Sequence, residues 1–255
     1  MNKRSKICVL ASGGVESGAM LYLLAKKYRE VYPLYVSHGF IWEKAEIHWL
    51  KQFIRALKAR PVREAAVLHY PLAALYSRHW SLTGKKVPSA QSKDEAVFLP
   101  GRNILLLSMA SVFCYSRSIP NLAIGSLATN PFPDSSPDFF KTFEQSLTLG
   151  YGRKIKIVRP FAGLKKISVI GLARQAPFEL TFSCLNPKGL VHCGKCNKCA
   201  ERQKAGQPFA DSEGLLGRRR PDGRRASRSV PEGRAATRRL INRRSFRLPL
   251  GRQGL

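Results

Sequence analysis

The sequence lacks a long apolar run, which argues against a membrane-spanning helix. The longest apolar stretch, Ile104 to Tyr115, is interrupted by Ser108 and Ser111 and is shorter than the ~20 residues that a helix needs to cross a bilayer. The basic start of the chain precedes only five apolar residues, whereas the apolar core of a signal peptide needs ~7 to 15. We therefore expect a cytoplasmic protein with no membrane partner.

Acidic residues are also scarce. The chain has 16 Asp and Glu against 44 Lys and Arg, for a formal net charge of +28. Lysine in turn is absent from residues 207–255, which contain thirteen arginines. Such a segment holds too little apolar surface to offset the entropy lost on ordering it. We predict a disordered tail over residues 207–255, with a shifted reading frame or a nucleic-acid-binding segment as alternatives.

A glycine-rich turn joins an apolar run at residues 7–11 to a second one at residues 19–24. It has neither the Lys-Ser/Thr pair of a Walker loop nor the third glycine of a dinucleotide fingerprint. Adjacent glycines still let the backbone approach phosphate oxygens, and the following helix N-terminus adds free N–H groups. An ordinary strand-to-helix turn is the alternative. The predicted nucleotide-binding residues are Ala11, Ser12, Gly13, Gly14, Val15, Glu16, Ser17, Gly18, Ala19, Met20 and Leu21.

Four of the six cysteines, Cys184, Cys193, Cys196 and Cys199, follow the spacing C-x8-C-x2-C-x2-C. Four thiolates on short loops can form a closed tetrahedral site for Zn²⁺. Because sulfur takes every ligand position, we predict a structural zinc site and not a catalytic one. Two disulfides are the alternative, although the spacing is tight for two bridges. The other two cysteines, Cys8 and Cys114, lie in apolar runs and are predicted core residues.

Apolar runs alternate with helix-forming stretches along the first 174 residues. The pattern predicts strands at 6–11, 31–37, 65–70, 121–126 and 155–158, and helices at 17–28, 43–59, 103–116, 137–149 and 165–174. This alternation favours an α/β fold with a doubly wound, mostly parallel sheet. Ligands of such sheets bind outside the carboxyl ends of the strands. We predict a nucleotide-binding domain over residues 1–180, a Cys₄ segment over residues 181–206, and then the tail.

Several motifs, taken in order, resemble a known family. The phosphate turn resembles the SGGxDS loop of the PP-loop ATP pyrophosphatases, with Glu16 where that superfamily usually has Asp. Within this superfamily, residues 6–205 resemble the 7-cyano-7-deazaguanine synthases. The residues that carry the resemblance are Val97–Asn103, Phe132–Phe139, Pro160–Lys166, Glu179–Cys184 and the cysteine cluster. The loop at residues 36–40 and the pair Ser135-Ser136 depart from the family pattern.

The resemblance implies a PP-loop fold and an ATP-dependent C–N ligase of queuosine biosynthesis. Such an enzyme converts 7-carboxy-7-deazaguanine and ammonia to 7-cyano-7-deazaguanine through an acyl-adenylate, releasing AMP and pyrophosphate. ATP, Mg²⁺ and Zn²⁺ are the implied cofactors, nucleic acid is not required, and a homodimer is one of the oligomeric states it allows. Lys166, Glu16 and Arg102 are the candidate catalytic residues, and Arg102, Asn103 and Asp134 the candidate substrate contacts. Lys165 could take the place of Lys166, and we expect only one of the two to enter the crevice. Solvated helix faces or a turn could also account for these lysines, Arg102 and Asp134.

Two other functions remain open on the sequence alone. The excess positive charge would also suit a PP-loop enzyme that adenylates a base within tRNA. A zinc-containing nucleic-acid-binding protein without turnover is the second alternative, in which Glu16 would reflect lost catalysis.

Overall fold

A computed structural model describes residues 4–209 of the protein. Nearly all of the predicted tail lies outside these residues. The three tail residues that are described pack on the preceding helix and loop: the Arg202 side chain donates a 2.6 Å hydrogen bond to the Pro208 carbonyl oxygen, and the Phe209 ring stacks on His192 at 4.7 Å between centroids. The domain boundaries at residues 180 and 206 stay predictions.

Five parallel strands form one sheet in the order β3-β2-β1-β4-β5. Residues Ile7 and Cys8 at the centre of β1 pair with Val31 on one side and Leu122 on the other. The order reverses between β1 and β4, and such a reversal opens a crevice at the carboxyl ends of the strands. The strands are β1 (Arg4–Leu10), β2 (Tyr28–Ser37), β3 (Ala66–His69), β4 (Asn121–Ala123) and β5 (Lys156–Val158).

Helices connect the strands, and short 3₁₀ turns occur at residues 94–97, 133–135 and 178–180. None of the helices among residues 4–209 is both long enough and apolar enough to span a bilayer. The helices are α1 (Val15–Ala25), α2 (Glu43–Leu57), α3 (Ala73–Tyr76), α4 (Trp80–Thr83), α5 (Arg102–Ser116), α6 (Pro137–Tyr151), α7 (Lys166–Leu172) and α8 (Asn197–Lys204).

The sheet is buried on both faces, as predicted for a doubly wound fold. Alternate residues of β1 point to opposite faces: Ile7 and Val9 join the core formed with α1, α2 and α7, whereas Cys8 and Leu10 join the core formed with α5 and α6. Cys8 and Cys114 are both fully buried in the second core. The predictions of the fold class and of these two core cysteines are therefore confirmed.

Some predicted boundaries are wrong. The first helix ends at Ala25 and not at residue 28, because Tyr28 already belongs to β2, where it is paired with Arg4 of β1. The pattern also missed α8, whose residues are mostly polar and show no apolar period. Tertiary contacts stabilise this helix, since Cys199 and Arg202 on its inner face are completely or almost completely buried.

Candidate active site

The phosphate turn after β1 has a shape that only glycine permits at one position. Gly13 has a φ of +82°, and a Cβ there would lie 2.9 Å from the carbonyl oxygen of Glu46. Its own carbonyl oxygen accepts a 2.7 Å hydrogen bond from the Phe182 N–H. The turn is thus fixed between α2 and the segment that leads to the cysteines. No side chain caps α1 at Gly14, so the first N–H groups of this helix can bind an anion.

A cavity of about 320 Å³ lies at the carboxyl ends of β1 and β2 and beside the loop after β4, and a second one of about 270 Å³ shares several of its walls. Five predicted nucleotide-binding residues line the first cavity: Ala11, Ser12, Glu16, Ser17 and Met20. Gly14 lines the second cavity. Val15, Ala19 and Leu21 lie in the hydrophobic core, and a Cβ on Gly18 would lie 3.0 Å from Phe53 and Thr181. These four residues therefore position the turn.

Lys166 and Glu16 lie together at the second cavity. Lys166 Nζ is 2.8 Å from Glu16 Oε1 and 2.5 Å from Glu201 Oε1 on α8, and Lys198 Nζ is 2.6 Å from the other oxygen of Glu201. Burial disfavours the charge on Lys166, but Glu16 and Glu201 outweigh burial and hold its pKa above the usual value. Lys166 therefore stays charged. The adjacent Lys165 is exposed to solvent.

The three predicted substrate residues are also brought together. The Arg102 side chain lines both cavities, with its guanidinium 5.6 Å from the centre of the Phe40 ring. The Asn103 N–H donates a 2.9 Å hydrogen bond to Asp134 Oδ2, and its side-chain amide donates to the Asp134 carbonyl oxygen at 3.0 Å. A carboxylate is favourable at a helix N-terminus. Asp134 therefore joins the 132–139 loop to the start of α5.

Sequence reasoning missed two buried glutamates on α2. Glu43 accepts hydrogen bonds from the Ser37 hydroxyl and from the N–H groups of His38 and Gly39, at 2.6 to 3.1 Å. These bonds anchor the loop at residues 36–40, one of the two places where the chain departs from the family pattern. The helical spacing between Glu43, Glu46 and the core residue Trp49 was the signal for their burial.

Glu46 lines both cavities and is only 8% exposed. Its Oε2 accepts a 2.7 Å hydrogen bond from the Tyr35 hydroxyl. Burial raises the pKa of Glu46 to about 8, although the charge of Arg102 and the bond from Tyr35 oppose this shift. Burial also raises the pKa of Tyr35, so this phenol keeps its proton and is the donor.

Aromatic rings form much of the wall of the larger cavity. Trp42 and Trp80 stack with their centroids 5.6 Å apart, and Phe98 lies 4.8 Å from Phe132. Flat apolar walls with a few polar groups between them are suited to a planar heterocycle.

The four predicted zinc ligands form a compact cluster beside α8. Their sulfur atoms all lie within 4.8 Å of one another, with Cys193 and Cys199 at 3.9 Å and Cys184 and Cys196 at 4.0 Å. Tetrahedral Zn–S bonds of about 2.3 Å would separate the sulfurs by roughly 3.8 Å, so the cluster fits such an ion. All four are free thiols, which is against the disulfide alternative.

The cluster has further features of a metal site. Backbone N–H groups point at its sulfurs, from Leu185 to Cys196 and from Cys193 to Cys184, at 3.4 and 3.3 Å. Such bonds orient thiolates around a metal. His192 is not in the cluster, because its Nε2 faces the Ser183 N–H at 3.3 Å.

Comparisons with known proteins match most of this chain to one family. The sequence model of the family described as "Queuosine biosynthesis protein QueC" matches residues 6–209. A 7-cyano-7-deazaguanine synthase of Leptospira interrogans is 33% identical over 226 residues, covering 83% of this chain and 90% of the relative. 7-cyano-7-deazaguanine synthase 1 of Desulfitobacterium hafniense is 30% identical over 207 residues, covering 79% and 91%.

The likeness to solved structures is weaker. The U34-tRNA thiolase NcsA from Methanococcus maripaludis is 14% identical, covers 80% of this chain and 65% of that one, and has a TM-score of 0.45, which is too low to argue from. The family match instead covers most of the sequence. This chain therefore belongs to the QueC family of queuosine biosynthesis proteins.

Proposed function

We propose that the protein is a 7-cyano-7-deazaguanine synthase, which uses ATP to convert 7-carboxy-7-deazaguanine and ammonia to the nitrile. One observation carries the proposal: the phosphate turn, Lys166 and Arg102 line adjoining cavities at the carboxyl ends of parallel strands. The two sequence relatives reported above support it, since both are named 7-cyano-7-deazaguanine synthases. Their names lend no such support to action on tRNA or to a protein without turnover.

The first task of such an enzyme is to activate a carboxylate, which is a poor electrophile until one oxygen becomes a leaving group. Transfer of AMP from ATP to that oxygen achieves this and releases pyrophosphate. Ser12 and the uncapped N-terminus of α1 supply the donors that hold the phosphates. The Ser17 hydroxyl donates to the Gly14 carbonyl oxygen at 3.0 Å and stabilises the turn itself. Lys166 neutralises the negative charge that grows on the departing pyrophosphate.

The carboxylate of Glu16 fits a role in holding Mg²⁺. This ion prefers oxygen ligands. Among the described residues Lys166 contacts only Oε1 of Glu16, so Oε2 is available to the metal. When bound, Mg²⁺ supplies further neutralisation of the phosphates. Lys166 keeps Glu16 oriented along the edge of the phosphate turn.

The substrate would lie between the aromatic walls with its carboxylate toward Arg102. A guanidinium can bind a carboxylate through two parallel charge-assisted hydrogen bonds. Asp134 is held by Asn103 but keeps lone pairs that can accept from a guanine-like N–H. The resemblance implies that a second ATP then activates the amide oxygen, so that elimination leaves the nitrile.

The cysteine cluster would hold Zn²⁺ in a structural role. Cys184, Cys193, Cys196 and Cys199 offer four sulfur ligands and leave no position for water, so the ion contributes folding free energy and no chemistry. Because α8 begins directly after Cys196, the metal would also order the helix that carries Glu201.

The experiment that tests this function is a pyrophosphate-release assay with ATP, 7-carboxy-7-deazaguanine and ammonium, in which each component is omitted in turn. We expect release to require the carboxylate, and the nitrile, identified by mass spectrometry, to require ammonium as well. The result would contradict the proposal and support the tRNA alternative if pyrophosphate release did not depend on 7-carboxy-7-deazaguanine, required tRNA, and fell steeply as the salt concentration rose.

A further inference from the structure

The four acidic residues that line the larger cavity are not equally engaged. Glu16 pairs with Lys166, Asp134 accepts hydrogen bonds from Asn103, and Glu43 is occupied by the loop at residues 36–40. Glu16 and Glu46 each leave one carboxylate oxygen without a partner among residues 4–209, but Glu16 is paired with a cation. Glu46 differs, because it forms no ion pair and its Oε2 accepts only from the neutral Tyr35 hydroxyl. Its Oε1 takes part in no hydrogen bond or ion pair with any residue from 4 to 209. One carboxylate oxygen of a residue that is over nine-tenths buried is thus left for a ligand.

The surroundings of Glu46 indicate what that ligand is. Glu46 lines the same cavity as the phosphate turn and Arg102, where the acyl-adenylate of the proposed reaction would form. Arg102 exerts an electrostatic effect on Glu46 but forms no ion pair with it among the described residues. Once ionised, Glu46 is a negatively charged acceptor without an ion-pair partner among the described residues, and such a group suits a small cation with N–H donors.

We propose that Glu46 binds ammonium in this cavity and takes a proton from it, so that ammonia can attack the acyl-adenylate. This role rests on the proposed function, which supplies the acyl-adenylate and consumes ammonia. A general base must lie within the cavity and have a pKa near the working pH. Burial raises the pKa of Glu46 to about 8, against the opposing effects of Arg102 and Tyr35 and together with that of Glu43. The other charged groups on the cavity wall are Glu16, Asp134 and Lys198.

In the proposed amide-forming step, one proton passes from ammonium to the Glu46 carboxylate. The lone pair of the resulting ammonia then forms a bond to the acyl carbon. The bond from that carbon to the adenylate oxygen breaks, and its electron pair leaves with AMP. The new amide nitrogen loses its surplus proton to water, and the Glu46 carboxyl group releases its own proton to water before the next turnover.

The test compares two nucleophiles on one acyl-adenylate. Hydroxylamine is already unprotonated at neutral pH and forms a hydroxamate without a base to activate it, whereas ammonium must first lose a proton. In Glu46→Gln we expect amide formation from ammonium to fall about 100-fold, the lower range for a general base. With hydroxylamine as the nucleophile, both hydroxamate formation and carboxylate-dependent pyrophosphate release should stay at the parent rates. Glu64→Gln, at an exposed glutamate without described partners, is the matched control and should behave as the parent.

A second variant tests the same role by pH. Tyr35→Phe removes a donor that stabilises charge on Glu46, so its amide formation relative to the parent should rise with pH, while its hydroxamate formation relative to the parent stays constant. Glu46→Gln would overturn the proposal if it lost amide and hydroxamate formation equally, or if it lost pyrophosphate release with hydroxylamine present. Either result would place Glu46 in adenylation or base recognition. Unchanged amide formation would also overturn it. Failure of the proposed function would be seen separately, as absent pyrophosphate release in the parent protein.

Discussion

Lys166 Nζ lies 2.8 Å from Glu16 Oε1, and this contact joins the start of α7 to the phosphate turn. The same ammonium group contacts Glu201 on α8, two residues after the last cysteine of the cluster. One cation thus connects the nucleotide site to the segment that the cysteines organise. Its charge is shared between two carboxylates, and a growing negative charge on pyrophosphate would compete for it.

The first prediction concerns that cation. Lys166→Met should lower kcat for carboxylate-dependent pyrophosphate release about 100-fold, because the negative charge on the leaving group is no longer neutralised. Lys165→Met is the control, since the adjacent side chain is exposed. An equal loss of kcat in the two variants would show that Lys166 has no specific role in pyrophosphate release.

The second prediction separates backbone strain from steric conflict in the phosphate turn. Gly152 ends α6 with a φ of +63° and has nothing within 4 Å of an added Cβ, whereas at Gly13 the Glu46 carbonyl lies 2.9 Å away. Gly152→Ala should therefore cost about 1 kcal/mol of unfolding free energy, and Gly13→Ala should cost more. Urea unfolding measures both. ATP binding should be lost only in Gly13→Ala, and normal ATP affinity there would contradict the assigned turn.

The third prediction concerns substrate binding at Arg102. Arg102→Lys keeps the charge but cannot form two parallel bonds to a carboxylate. A charge-assisted hydrogen bond contributes about 1.5 to 3 kcal/mol, so KM for 7-carboxy-7-deazaguanine should rise about 10- to 100-fold, with KM for ATP little changed. Arg55→Lys on the exposed side of α2 is the control. A rise confined to KM for ATP would instead assign Arg102 to the nucleotide.

The fourth prediction concerns the metal. Cys193→Ser should reduce the zinc that co-purifies with the protein and lower Tm, because metal binding free energy is folding free energy in a closed site. Cys114→Ser places a hydroxyl in an apolar core and should also lower Tm, but without loss of zinc. Elemental analysis and thermal unfolding with and without a chelator distinguish the two. Full zinc content in Cys193→Ser would contradict the ligand assignment.

The fifth prediction concerns stability and pH. Because the pKa of Glu46 is raised from 4.5 to about 8 in the folded state, the folded protein holds a proton that the unfolded chain releases above pH 4.5. The stability from this group is therefore complete below 4.5 and is lost as pH rises through 8, at about 1.4 kcal/mol per pH unit. Glu46→Gln should not show this loss. Its unfolding free energy, relative to that of the parent protein, should therefore increase as the pH rises from 4.5 to 8. A difference in unfolding free energy that does not change with pH would contradict the raised pKa.

Local sequence determined the parts of the protein that depend on short-range patterns. Ser12–Ser17 was recognisable because adjacent glycines after an apolar run permit a backbone that other residues cannot adopt. The cysteines were recognisable because metal ligands on short loops require fixed spacing. The alternation of strands and helices predicted the doubly wound sheet, because each pattern reports which face of an element is apolar.

Only the tertiary structure decided which of two neighbouring residues enters the site and which distant ones meet. The sequence could not decide whether Lys165 or Lys166 enters the site, because this depends on how the start of α7 is positioned relative to Glu16. The helical spacing on α2 could indicate that Glu46 is buried, but not that it lies with Tyr35 and Arg102, which come from two other elements. Burial, and with it a pKa near neutrality, arises from packing between segments far apart in the chain, and no local pattern encodes that contact.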